Sequence, residues 1–204
     1  QRQMCIRDRP YLTHPDWTVR RRSGFLTPSF LISSDVGFAP SIPYFHIIDH
    51  TSDVELSMHK YQYRGAAAKT RYRKLWDKSS LQADLYTANV ETYKQKRESV
   101  GAIDAAFVSS IKNDWHVKAR LLRSSQDTFL RRYKFNNETS LKSSATAERL
   151  MPDRYYYLEV SDQQALTTAN DNINEPTIFP HIYYEKTRQG WRPNQLMRTE
   201  ISAL

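Results

Sequence analysis

The chain is 204 residues long, carries 30 Lys and Arg against 22 Asp and Glu for a net charge of +8, and has a mean hydropathy of −0.72. No apolar run reaches the roughly eighteen residues that a membrane-crossing helix needs, so such a helix is excluded; a transmembrane β-strand needs only about ten residues of alternating character and is not excluded. Thirteen Tyr, eight Phe and four Trp against five Gly favour strands with aromatic interfaces.

In chain order, Met4-Cys5-Ile6-Arg7-Asp8-Arg9 resembles the translated end of a transposon adapter used in library preparation. Residues 1–9 are therefore read as a sequencing scar and set aside. Cys5 is the only cysteine, so disulfide usage says nothing about compartment. Residues 10–22 form a connecting segment with prolines and a triple arginine. Strand candidates follow, about eleven by alternation and turn chemistry. They are Gly24–Ser33, Gly37–Ile47, Val54–Tyr63, Ala66–Trp76, Leu81–Thr92, Val100–Ile111, Trp115–Arg123, Ser140–Leu150, Tyr155–Val160, Ile178–Lys186 and Leu196–Leu204. Ala66–Leu75 is alanine-rich, but Arg64-Gly65 before it reads as a hairpin turn, which favours a strand. No helix of convincing length is expected.

The first two candidates carry Pro28, and Pro40 with Pro43. Proline has no N–H for a ladder and is tolerated at edges, bulges or weak seams, so these two strands should pair poorly. Alternation then assigns faces. Ala68, Thr70 and Tyr72 oppose Lys69, Arg71 and Arg73. Leu81, Ala83 and Leu85 oppose Gln82, Asp84 and Tyr86. Ile103, Ala105 and Phe107 oppose Asp104, and Val117, Ala119 and Leu121 oppose His116, Lys118 and Arg120. A lipid-out, water-in wall has this pattern, and so does a soluble sheet with one face on a core. Connections alternate long and short from Glu91–Ser99 onward, with Ser124–Thr139 and Ser161–Pro176 long and Lys112–Asp114 and Met151–Arg154 short. Tyr61, Tyr63, Trp115, Tyr155–Tyr157, Tyr183 and Tyr184 cluster at strand ends, as interfacial girdles would.

No catalytic set emerges: there is no glycine-rich phosphate loop, no Gly-x-Ser-x-Gly and no Cys–His pair. His46, Asp49, His50 and Asp53 sit near one turn and read as surface polar residues rather than as a metal site. Lys69, Arg71, Arg73, Lys118 and Arg120, with His116, are candidate anion contacts on a water-filled face. The competing reading is a solvated wall balanced by Asp84 and Asp104. No RNA- or DNA-binding signature accompanies the basic residues.

The junction carries a resemblance. Pro10-Tyr11, Pro15-Asp16, Thr18-Val19-Arg20-Arg21, Ser23-Gly24-Phe25-Leu26 with Pro28, and Pro43-Tyr44-Phe45 resemble the start of the barrel in the lipopolysaccharide-assembly outer-membrane protein family (LptD, also called OstA or Imp). Trp17 stands where many members have a second proline, and Tyr63-Arg64-Gly65 is a weaker echo. The resemblance implies an all-β fold: residues 10–22 connecting from a periplasmic domain, and residues 23–204 the first antiparallel up-and-down strands of a large transmembrane β-barrel of roughly two dozen strands, left incomplete here. It implies transport rather than catalysis, in the outer membrane of a Gram-negative bacterium, with no cofactor. Lipopolysaccharide would pass sideways through a gate at Gly24, Phe25, Pro28, Pro40 and Pro43. A lipoprotein plug of the LptE type and periplasmic Lpt bridge proteins would be partners. The alternative is a soluble basic β-domain that binds an anionic polymer.

Overall fold

The computed structural model describes residues 21–91, 97–111, 114–138, 140–166, 178–189 and 196–203. The adapter-like residues and most of the connecting segment lie outside them. The described residues form one antiparallel sheet in which each strand returns beside its predecessor. β1 (Gly24–Phe25) and β2 (Ser29–Ser33) share a single partner, β3 (Gly37–Ile47). Then come β4 (Ser52–Tyr61), β5 (Gly65–Trp76), β6 (Ser79–Glu91), β7 (Arg97–Ile111), β8 (Trp115–Ser124), β9 (Ser140–Leu150), β10 (Arg154–Ala165), β11 (Ile178–Gln189) and β12 (Leu196–Ala203). One helical turn, α1 (Phe129–Arg132), lies between β8 and β9. The fold is thus all-β and up-and-down, as the alternation predicts. β1/β2 and β12 are its two edges, and no ladder joins them among the described residues.

Several bounds differ from the expectation; β10, for one, runs to Ala165 rather than Val160. Among the described residues the strands number twelve rather than about eleven, because Gly24–Ser33 is broken at Leu26–Pro28 into β1 and β2. The connection after β6 is shorter than Glu91–Ser99, since β6 runs to Glu91 and β7 begins at Arg97. The alternation of connection lengths holds across β7–β11. The strand ends joined between β8 and β9 and between β10 and β11 lie at one end of the sheet, and those joined between β7 and β8 and between β9 and β10 at the other. Tight turns use the residues that tolerate positive φ: Gly37 at 72° and Gly65 at 80°. At Gly37 a Cβ would come 2.7 Å from the Gln62 Cβ, so the turn excludes a larger residue on space as well as on conformation.

Register confirms the two faces. Leu85 lies opposite Thr70 and Ile103, and Arg71 opposite Glu55 and Asp84. The apolar face is the exposed one: Ile42, Tyr44, Leu56, Met58, Leu85, Leu121, Leu158, Val160, Ile182 and Ile201 are all open. Charged residues on that face, among them Lys60, Lys74, Arg123 and Lys186, lie toward the strand ends and leave an apolar band between them. The buried cluster is on the other face, at the end with the long connections. Val36, Ala39, Tyr61, Ala67, Tyr86, Ala88 and Ala102 pack there with Phe129, Leu130 and Tyr133 of the β8–β9 connection. Fully burying an apolar side chain stabilises by about 1.5–3 kcal/mol, so this connection is held as a packed element.

Candidate functional site

The first seam, between β1/β2 and β3, is irregular in a defined way. Phe25 pairs with Tyr44 and Ser29 with Ser41, so Leu26, Thr27 and Pro28 face only Ile42 and Pro43. One extra residue on one strand is a β-bulge, which unpairs the ladder locally and bends the strand. Leu26 N–H donates to the Pro43 carbonyl at 2.9 Å, and Ile47 N–H donates to Ser23 Oγ at 2.9 Å. Residues 43, 45 and 47 of β3 therefore turn their backbone edge toward the first strand, and Pro43 removes a donor from the seam itself. Phe38 turns the other way: its carbonyl accepts from Gln62 N–H at 3.1 Å. By the same alternation Pro40 faces β4, one residue past the last paired position, Ser41 with His59. Pro28 and Pro43 sit at the bulge; Pro40 lies in the same seam opposite Phe30, but its missing N–H is on the β4 side. Gly24 and Phe25 lie on β1, with Phe25 77% exposed and its ring edge-on to Tyr44 at 5.0 Å.

The expected basic residues do share the polar face, and each has a carboxylate beside it. Arg71 grips Asp84 with two hydrogen bonds of 2.8 and 2.9 Å, and Lys69 Nζ lies 3.2 Å from the same group. Arg120 grips Asp104 at 3.1 and 3.0 Å, Lys118 reaches Glu148 at 3.2 Å, and Arg73 Nε donates to Asp53 at 2.7 Å. Farther along, Lys142 pairs with Glu159 and Arg198 with Glu185. Cross-strand ion pairs thus form a belt across the face. Asp84 and Asp104 face each other directly across β6 and β7, a repulsive placement that the two arginine forks offset. Carboxylates already occupy the forks of Arg71 and Arg120. His116 points elsewhere, its Nδ1 3.1 Å from Ser110 Oγ.

His46, Asp49, His50 and Asp53 do not converge. Asp49 closes the β3–β4 turn on Thr51 and pairs with Lys74 at 2.8 Å, which holds its carboxyl well below the usual carboxylate range. Asp53 lies on the polar face between Arg21 and Arg73, and His46 lies on the opposite face. The strand-end aromatics divide. Trp115, Tyr156 and Tyr184 stack along the apolar face near the short turns, at 6.1 and 5.0 Å. Tyr61 is buried on the polar face and belongs to no girdle.

The sequence reading missed the β8–β9 connection. Its helical turn lies against the polar face, with Tyr61 Oη donating to the Tyr133 carbonyl at 2.7 Å and Tyr133 Oη donating to the Arg64 carbonyl at 3.1 Å. Lys134 pairs with Asp35 at 2.6 Å. The Phe135 ring packs on His59 and Tyr86 at 5.4 and 4.8 Å. The signal was present as Phe129, Leu130 and Tyr133, apolar at helical spacing inside a segment otherwise read as loop. Comparison with protein-family models and with curated proteins finds no match to this chain.

Proposed function

We propose that the chain is part of the wall of an outer-membrane lipopolysaccharide translocon of the LptD type, and that cargo enters the outer leaflet through an opening at the first seam. The observation that carries this reading is the bulged seam, with Pro43 withholding a donor from it and Pro28 inside the bulge. It is joined to an exposed apolar face and a polar, charge-paired opposite face, the arrangement a lipid-facing wall requires. In lipid the two open edges need further strands, because unpaired backbone there costs several kcal/mol per group. On this reading the protein resides in the outer membrane of a Gram-negative bacterium. Its cargo is lipopolysaccharide, and an LptE-type lipoprotein and periplasmic Lpt proteins are its partners. The soluble anion-binding alternative draws less support, since the ion-pair belt already neutralises most of the basic face.

The test is Pro28→Ala with Pro43→Ala in the full-length protein. The change at Pro43 restores an N–H aimed at the first strand, worth about 0.5–1.5 kcal/mol for one hydrogen bond. A tightened seam should slow the arrival of newly made lipopolysaccharide at the cell surface, with the level of folded protein unchanged. Pro40→Ala, which faces β4, should leave export at the wild-type rate. Undiminished export in the double variant overturns the gate.

A further inference from the structure

The geometry points to a phosphoryl-binding site where Arg21 and Arg73 meet over Phe45, at the short-turn end of the polar face. This rests on the placement of the side chains and stands apart from the translocon reading. Arg21 belongs to the triple arginine of the connecting segment, and Arg73 to β5. Their guanidinium carbons lie 5.6 and 5.9 Å from the centre of the Phe45 ring, within cation–π range. Both groups bind one carboxylate, Asp53, whose side chain is almost fully buried. Two cations are thus held side by side against their mutual repulsion, with a single counter-charge between them. Glu55, the next acidic residue along the face, lies in register between Phe45 and Arg71 and makes no ion pair with Arg21 or Arg73 among the described residues. Lys74, next to Arg73 on β5 but of the opposite face, is taken by Asp49.

The donors are only partly used. Arg73 binds Asp53 through Nε, and Arg21 through Nη2 with a long contact from Nη1 to the His50 carbonyl. The two terminal nitrogens of Arg73 and the Nε of Arg21 have no hydrogen-bond partner among the described residues. Both arginines border a cavity of about 650 Å³ whose wall also includes Leu81, Gln82 and Val108. A tetrahedral dianion suits this set. It supplies several acceptor oxygens to two planar forks that are already fixed by stacking and by Asp53, so little side-chain freedom is lost on binding. It also reverses the local excess of positive charge. The phosphate can be free or carried by a lipid.

The test measures binding to the full chain in neutral detergent by calorimetry. One arm titrates inorganic phosphate; the other titrates phosphatidic acid in mixed micelles, with phosphatidylcholine as the control for a diester. Saturable one-to-one binding in either arm is expected. It should weaken about tenfold or more in Arg73→Gln, the scale of one lost charge-assisted contact. Arg21→Gln, which lies outside every strand and leaves the ladder intact, should weaken it comparably. Binding in the first arm names free phosphate as the ligand, and binding confined to the second names a lipid headgroup. Absence of saturable binding in both arms, or equal binding by wild type and Arg21→Gln, overturns the site. Because no lipopolysaccharide is used, failure here leaves the seam's role standing, and failure of the seam leaves this site standing.

Discussion

Tyr133 ties its own connection to β4 and to the β4–β5 turn, and its chemistry is legible atom by atom. Its carbonyl accepts from Tyr61 on β4, its hydroxyl donates to the Arg64 carbonyl in the β4–β5 turn, and its ring packs on Phe129 and Phe135. Burial pushes its hydroxyl above the ordinary tyrosine value. Tyr133→Phe keeps the ring and removes one donor, so it should loosen the docked connection by about 0.5–1.5 kcal/mol. Phe129→Ala empties a fully buried position and should cost about 3–5 kcal/mol. Amide hydrogen exchange at residues 129–135 distinguishes the two, with protection reduced in the first and lost in the second. The neighbouring Lys134 holds the Asp35 carboxyl below its ordinary value of 3.8. A depressed carboxyl stabilises the docked state above its unfolded pKa, and that contribution is lost as pH falls through the folded one. The tie is therefore complete at neutral pH, begins to weaken only as pH falls past the ordinary carboxylate value, and is lost below it, through the depressed folded-state value. Lys134→Ala should return the Asp35 titration, followed by carboxyl-carbon NMR, to near its ordinary value.

Among the strands, the ladder is short or irregular in several places: the first seam and β10–β11, which has a register shift where Val160 faces Phe179 and Pro180, are both marked by proline, and β8–β9 is not. The first seam has two paired positions from β1 and five from β2, seven in all, against thirteen between β6 and β7. β8 and β9 have six, ending at Arg120 with Ser144. Beyond that point side chains stand in for backbone. Ser143 Oγ bridges the N–H and carbonyl of Leu122, and the Gln164 amide bridges those of Ser124 at 3.1 and 2.9 Å. A glutamine amide presents the same donor and acceptor as a peptide group, so it can close a ladder that the strands leave open. Gln164→Ala should leave both Ser124 groups unpaired, cost about 1–3 kcal/mol, and raise exchange at Ser124 and Leu122 while the β6–β7 ladder stays protected. Protection unchanged at Ser124 would mean that solvent already serves those groups.

Over the entire sheet, the distribution of apolar surface is inverted relative to a water-soluble one. The band through Leu56, Leu85, Leu121 and Leu158 is open, while the buried cluster occupies one end of the charged face. If lipid covers that band, Leu85→Lys, at the middle of β6 and itself 48% exposed, should destabilise the protein in bilayers by about 2–4 kcal/mol. The same change on a solvated surface should fall within about 0.5 kcal/mol. Denaturant titration in vesicles reads the difference, and a near-neutral result removes the membrane reading. Residue order alone sets the strands, their succession and which side chains share a face, because a period of two is a local property of the chain. Gly37–Ile47 and Ser140–Leu150 are read from it to the residue. It also puts Pro28 and Pro43 in one weak seam, because proline's missing donor is intrinsic. The pairing of the basic residues, the turning of Pro40 toward β4 and the place of Tyr61 under a folded connection came only with the assembled sheet. Those outcomes depend on register between strands and on contacts across distances as great as the 99 residues from Asp35 to Lys134, which no local pattern encodes.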